Sequence, residues 1–281
     1  MNNESKKGEK ATYLISLGAE IAGGAAGAAI GLIAANPILA VTLGAVRAGI
    51  SKGLVDATEK YLSNREKVRT GAAAAQTIVN ISERMKSGQP LRDDDFFDLK
   101  MNSRSYSEEL FEGVLLRSKN EHEEKKVVYI ANIFSNSVFL PISLGEANHI
   151  LRIAHHLSYR QLCVLGLVNA DKSLLGIILG DIRLRDNQEL IRKLPVESIS
   201  LRQEIVDLQS QGLIECGVVK QSEGNWSSTR QEDHNLFMLA WYDVIPAGLK
   251  LTVLGDLCLN LMTLNAIPNS DLLEVARLLV I

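Results

Sequence analysis

Ser63-Asn64-Arg65-Glu66 opens the stretch whose reading decides the fold, and Ser87-Gly88-Gln89-Pro90 closes it. A serine followed three residues later by a glutamate lets each side chain cap the other's backbone N–H, the signature of a helix start. A glycine and then a proline beyond the last turn mark a helix stop. Ala72 to Ile81 lies between these signals, so the stretch is predicted as one helix. The same start signature recurs at Ser105-Tyr106-Ser107-Glu108 and at Ser143-Leu144-Gly145-Glu146. The first opens an amphipathic helix through Leu110, Val114 and Leu115. The second opens one with Ile150, Leu151 and Ala154 on a single face. Between the first two helices stands Asp93-Asp94-Asp95, followed by Phe96 and Phe97. Asp93 or Asp94 is expected to cap a short helix, with both phenylalanines docked in the core.

Outward from there, a charged stretch from Lys119 to Lys126 leads into an apolar segment, Val127 to Phe139, and Tyr159 to Leu167 reads as helix. Leu174 to Leu179 reads as a short buried segment. Ser200 to Gln211 places Leu201, Ile205 and Leu208 at helical spacing, and Gly212 closes it. Leu213 to Val219 reads as a strand, followed by a polar loop, Gln221 to Asn235, and a second candidate strand, Leu236 to Tyr242. Leu249-Lys250-Leu251 is a short extended piece. Thr252 caps a helix through Leu264, and Pro268-Asn269-Ser270 separates it from a last helix ending near Leu279. The expected fold class is mainly α: a helical hairpin over residues 1–62, a helical domain over 63–157, and a small α+β part over 158–281.

The chain has 281 residues, 46% hydrophobic and 22% charged, which fits a globular protein of one large or two modest domains. Aromatic content is only 5%, so the core must rest on Leu, Ile, Val and Ala. A net charge of -3 gives no general attraction to nucleic acid or anionic lipid. Cys163, Cys216 and Cys258 are far apart and form no Cys-x-x-Cys pair, so they read as buried free thiols in a reducing compartment. Lys6, Lys7 and Lys10 before an apolar stretch imitate a secretory signal. Glu20 interrupts the apolar core such a signal needs, and the protein is expected to be cytoplasmic.

The N-terminal region carries the distinctive pattern. Ile21 to Val46 contains no charged residue, and Gly23, Gly27 and Gly31 fall four apart within it. On a helix these glycines lie on one face. Each costs about 1 kcal/mol relative to alanine, so three on one stripe call for the close approach of another helix backbone, as small-xxx-small faces make in lipid. Asn36-Pro37 breaks the run, and the residue before a proline is driven out of helical geometry. A hairpin with arms over about Thr12–Ala35 and Ile38–Leu62 follows. Only Ile38 to Val46 is uncharged after the break. Such a helix rises roughly 14 Å against a hydrocarbon core of roughly 30 Å. Two full spans are therefore not supported. Conditional membrane engagement through Gly23, Gly27, Gly31 and Pro37 is favoured over a constitutive span, and a soluble hairpin in the core is the competing reading.

Catalytic constellations are mostly lacking. Glu146 stands three before His149, like half of a di-iron Glu-x-x-His set, but no second such pair follows. His149 and His156 are seven apart and could share a helix face with His155 nearby, but they read as one or two polar helix positions. Asp93, Asp94, Asp95 and Asp98 lack the glycine of a calcium loop. No nucleophile elbow or phosphate-binding glycine loop is present. Neither an enzyme, a cofactor nor a metal is expected.

Leu201 through Ile214 and Leu249 through Gly255 resemble the second half of winged-helix domains, in which a helix ends in a Gly-Leu-Ile step into a strand and a Leu-Thr-x-x-Gly helix follows. The helix matching the family's recognition helix carries Arg202 against Glu204 and Asp207. The wing-like loop sets Lys220 and Arg230 against Glu223, Glu232 and Asp233. Phosphate contacts need Lys and Arg, so the resemblance implies a protein-binding rather than a DNA-binding module, with Arg202, Gln203 and Gln209 as contact residues. Asn64 to Arg69, Arg92 to Phe97, Glu109 to Leu116 and Tyr159 to Leu162 resemble a family of bacterial proteins without an assigned activity, which join an apolar N-terminal region to a helical middle and a winged-helix-like end. Apolar zipper segments on soluble bodies also resemble the membrane-active effectors of bacterial antiviral systems. The expected function is a membrane-targeting effector in antiphage defence. It would engage lipid conditionally, self-associate and bind a partner protein. The alternative is a soluble regulator or adaptor.

Overall fold

The computed structural model describes residues 63–98, 105–170, 195–216 and 249–279. The hairpin expected over residues 1–62 with its glycine stripe, the segment expected over Leu174 to Leu179, the loop expected over Gln221 to Asn235 and the strand expected over Leu236 to Tyr242 all lie outside the described residues. The described part holds eight α-helices and one two-stranded sheet, so the fold is mainly α. No helix among the described residues is long and apolar enough to cross a membrane. The chain divides into two units. Of the described residues, one unit comprises 63–98 and 105–159 together with Asn260–Thr263; the other comprises 160–170, 195–216, 249–259 and 264–279.

In the first unit the three serine–glutamate signatures become three complete capping boxes. Helix α1 (Asn64–Lys86) is opened by Ser63, α2 (Tyr106–Asn120) by Ser105 and α4 (Leu144–His156) by Ser143. In each, the serine hydroxyl accepts from the glutamate N–H, and the carboxylate accepts from the serine N–H at 2.7–2.9 Å. An N-cap of this kind is worth about 1 kcal/mol. Helix α1 stops at Lys86, and Gly88 takes φ +83, a left-handed conformation that glycine adopts without strain.

Helix α3 (Lys126–Ser137) is the centre of this unit, buried nearly all round and packed against α1, α2 and α4. Its approach to α1 is close because the facing residues are small. Ala72 and Ala73 meet Val127 and Ala131, with Leu115 of α2 against them. Between α1 and α2 a 3-10 turn, Asp95–Phe97, is N-capped by Asp94, and Phe96 and Phe97 are buried, as their sequence context suggested. Phe97 stands edge-on to Phe96 at 5.1 Å, and Phe134 of α3 lies 4.9 Å from Phe111 of α2. Arg92 fastens this corner. Its guanidinium pairs with Asp94, donates to the Ser137 and Ile142 carbonyls and lies over the Phe96 ring.

A ladder of amide side chains also runs along α3. Asn132 accepts from Asn80 at 2.7 Å and donates to the Met262 carbonyl at 3.0 Å. Asn136 donates to the Leu261 carbonyl at 2.8 Å and to Thr263 Oγ1 at 2.9 Å. These bonds satisfy carbonyls that a helix end leaves without partners.

The second unit holds α5 (Tyr159–Asn169) from Arg160 onward, α6 (Val196–Ser210), α7 (Val253–Met262) as far as Leu259, α8 (Asn269–Arg277) and a minimal sheet that α6 contacts. Strand β1 (Ile214–Cys216) pairs antiparallel with β2 (Leu249–Leu251), Ile214 opposite Leu251. Helix α6 begins four residues before the expected Ser200. Pro195 supplies a fixed φ just ahead of the first turn, and the helix starts immediately after it. It ends as predicted, with Gly212 left-handed at φ +70. Thr252 caps α7 by accepting from the Gly255 N–H at 3.0 Å. That helix ends at Met262 rather than at Leu264, because Thr263 turns left-handed at φ 57 and a short 3-10 turn, Leu264–Ala266, follows. Gly255 is required: a Cβ there would stand 2.0 Å from the Leu213 carbonyl oxygen.

Candidate functional site

The densest polar chemistry in the described residues sits in the turn between α2 and α3. The sequence Glu121-His122-Glu123-Glu124-Lys125-Lys126 reads as a charge run, yet its two ends are among the most buried side chains of the described residues. Glu121 and Lys126 are each 1% exposed and stand 2.7 Å apart, Oε2 to Nζ. Lys126 is buried because it shares a helix face with Ile130, Ile133, Phe134 and Ser137, which follow it by about one, two, two and three turns. A cation at a helix N-terminus faces the positive end of the helix dipole, so Glu121 is the counter-charge that makes this position tenable.

The rest of the cluster is built around this pair. Glu121 Oε1 accepts from the N–H groups of His122 and Glu123 at 2.9 and 3.0 Å. Burial alone would raise the Glu121 carboxyl. The Lys126 ammonium and the backbone donors override it and hold the group below the usual carboxylate range. Arg69 of α1 donates through Nη1 to the Glu121 carbonyl. Lys126 also reaches the His155 carbonyl at the end of α4, at 3.4 Å. The His155 imidazole is held below its ordinary range, first by burial and then by the nearby Arg117 charge. Glu123 accepts from the Tyr159 N–H at 2.9 Å, and the Lys125 ammonium lies over the Tyr159 ring. The cluster thus ties α1, α2, α3 and α4 together through one turn.

Glu121, His122 and Glu123 bring three potential ligand atoms within 4.8 Å of one another. Lys126, however, already holds the position a divalent ion would take beside Glu121, and His122 is 88% exposed. The chemistry of this donor set is that of a locked ion pair. The Glu146–His149 pair is likewise no ligand set: Glu146 closes its capping box, and His149 contacts Arg152 at 2.8 Å. Cys163 and Cys258 are buried and form no disulfide, and burial pushes the Cys258 thiol up to about 12.

Of the residues singled out in the sequence, Arg202, Gln203 and Gln209 all lie on α6. Arg202 and Gln209 flank its buried face (Leu201, Ile205, Leu208) and are half-buried, and burial lowers the Arg202 guanidinium. Gln203 is exposed and donates to Asp207 at 3.1 Å. Glu204 is engaged by Arg160 of α5 through two bonds of 2.8 and 2.7 Å. Gly23, Gly27, Gly31 and Pro37 lie outside the described residues. Comparison of the chain with protein-family models, curated proteins and solved structures returned no match.

Proposed function

We propose that this protein is a membrane-targeting effector of the kind bacteria direct against phage. In this reading the Ile21–Val46 segment engages a bilayer conditionally, turns at Pro37 and self-associates along Gly23, Gly27 and Gly31. The observation that carries the reading is the conjunction of a 26-residue uncharged run with a regular glycine stripe. Glycines so placed cost helix stability unless a second helix backbone comes close. The helices described from residue 63 onward carry no comparable apolar length, so membrane contact in this proposal rests with the N-terminal segment.

The C-terminal part supplies partner binding in the same proposal, through a winged-helix-like surface on α6 that includes Arg202, Gln203 and Gln209. Support comes from the order of elements: α6, a left-handed Gly212, β1, β2 and then a Thr252-capped α7. The acidic balance of α6 favours a protein partner over nucleic acid. The competing reading, a soluble regulator or adaptor, draws on Glu20 and the Asn36-Pro37 break, both of which suit a hairpin packed as core. Replacing Gly27 and Gly31 by Leu separates the two. The effector reading expects lost membrane activity with α1–α8 intact by circular dichroism. Full activity in a folded double variant would end it.

A further inference from the structure

Among the described residues four buried side-chain polar atoms have neither a hydrogen bond nor an ion-pair partner, and three of them belong to side chains around the α2–α3 turn. They are Arg69 Nε, Ser118 Oγ and His155 Nδ1; the fourth is Gln76 Oε1 on α1. Native proteins leave few such groups unmet, because burying a polar group without a partner is costly. Three around one buried ion pair therefore point to a ligand.

These side chains are linked through the Glu121–Lys126 pair. Arg69 holds the Glu121 carbonyl, the Glu121 N–H donates to the Ser118 carbonyl at 3.3 Å, and Lys126 joins the Glu121 carboxylate to the end of α4 beside His155. Ser118 is the most telling member. A buried serine in a helix normally bonds back to a carbonyl one turn earlier, and Ser135 and Ser137 of α3 do so, to Ala131 and Ile133. Ser118 is equally buried, at 0% exposure, and makes no such bond.

The mixture of donors and acceptors identifies the ligand. Arg69 Nε can only donate, and the Glu121 carboxylate, already paired with Lys126, can only accept. The Ser118 hydroxyl can do both, and His155 Nδ1 does either according to its tautomer. An anion only accepts and would meet Glu121; a cation would meet Arg69 and Lys126. A molecule that donates two hydrogen bonds and accepts two fits both kinds of partner. We propose that the α2–α3 turn encloses a hydration site, in which one water or a short chain of waters bridges Ser118, Arg69, His155 and the Glu121–Lys126 pair. Buried waters of this kind typically make about three bonds to groups the protein cannot otherwise satisfy, and this one completes the solvation of an ion pair removed from bulk water.

A crystal structure of the full chain at a resolution that shows ordered solvent tests the site, with Ser118→Val as the companion variant. The expected result is compact density at hydrogen-bond distance from Ser118 Oγ and from at least one of Arg69 Nε, His155 Nδ1 and Glu121 Oε2. In Ser118→Val the density should be displaced, and the amides of residues 121–126 should exchange with solvent at least ten-fold faster. If the variant does not fold, the wild-type density alone decides. No density at the cluster, where surface waters are otherwise visible, overturns the proposal. Density too large for water that appears only with phosphate or sulfate present also overturns it, in favour of an anion site.

Discussion

Replacing Glu121 by Gln keeps the volume of the side chain and one acceptor oxygen but removes the counter-charge of Lys126. Lys126 is 1% exposed, and its other contacts are a carbonyl at 3.4 Å and the Glu123 carboxylate at 3.9 Å. Removing one partner of a buried pair costs about 3–5 kcal/mol, because the remaining charge stays buried. Glu121→Gln belongs at the lower end, about 3 kcal/mol, since the amide oxygen still faces the ammonium. At 1.36 kcal/mol per factor of ten this is a roughly 150-fold change in the opening equilibrium. Hydrogen exchange of the α3 amides, Ile130 and Ile133 among them, reads it directly. A second variant, Glu121→Gln with Lys126→Met, removes both charges and should recover most of the loss. A change below about five-fold in the single variant, or no recovery in the double, would refute the reasoning that the pair holds this turn closed.

Gly255→Ala should cost about 3 kcal/mol or more, because its Cβ would stand 2.0 Å from the Leu213 carbonyl; exchange protection of the Thr252 amide, which bonds that carbonyl at 3.1 Å, reports the outcome. Gly145→Ala is the contrasting case, since its Cβ meets only Ser143 Oγ at 3.8 Å in a helix; a rise in Tm equivalent to about 0.5–1 kcal/mol is expected. Burial raises the carboxyls of Glu121 and Asp94, but their hydrogen bonds and neighbouring cations win and hold both below the unfolded values. Groups depressed in this way stabilise the fold above the unfolded pKa and lose that contribution as pH falls through the folded one. Urea midpoints should therefore decline in the acid range below the ordinary carboxylate pKa, less steeply in Asp94→Asn than in the wild type. Asn132→Leu removes the hydrogen bonds to the Met262 carbonyl and from the Asn80 amide and should cost about 1–3 kcal/mol in thermal or chemical denaturation; a neutral effect would show that the ladder is dispensable.

The helices that announce themselves locally were the legible part of this chain. Ser63, Ser105 and Ser143 each carry a glutamate at the third position, and Gly212 follows a clean apolar period, so their signals lie within a few residues. Asp94 and the two phenylalanines after it were legible for the same reason. The Glu121–Lys126 pair was not. A run of six charged or polar residues reads as solvated, and only the register of Lys126 with Ile130, Ile133 and Phe134 hints that its end turns inward. The start of α6 was missed because the Leu201–Ile205–Leu208 period begins a turn later than the helix that Pro195 opens. Thr263 is a conformation that few β-branched residues adopt, and Asn132 and Asn136 grip carbonyls more than a hundred residues away. Neither fact leaves a local trace in sequence. The glycine stripe is the opposite case, a strong local pattern whose meaning depends on what the helix meets.

Liposome flotation paired with dye leakage, on the full-length protein and on a version lacking residues 1–52, tests the proposed function most directly. The account predicts that only the full-length protein floats and releases dye, with Gly27→Leu/Gly31→Leu floating poorly or leaking little. Equal behaviour of the full-length and shortened proteins, with neither floating nor releasing dye in the presence or absence of a partner protein, would contradict it and leave the N-terminal segment as packed core.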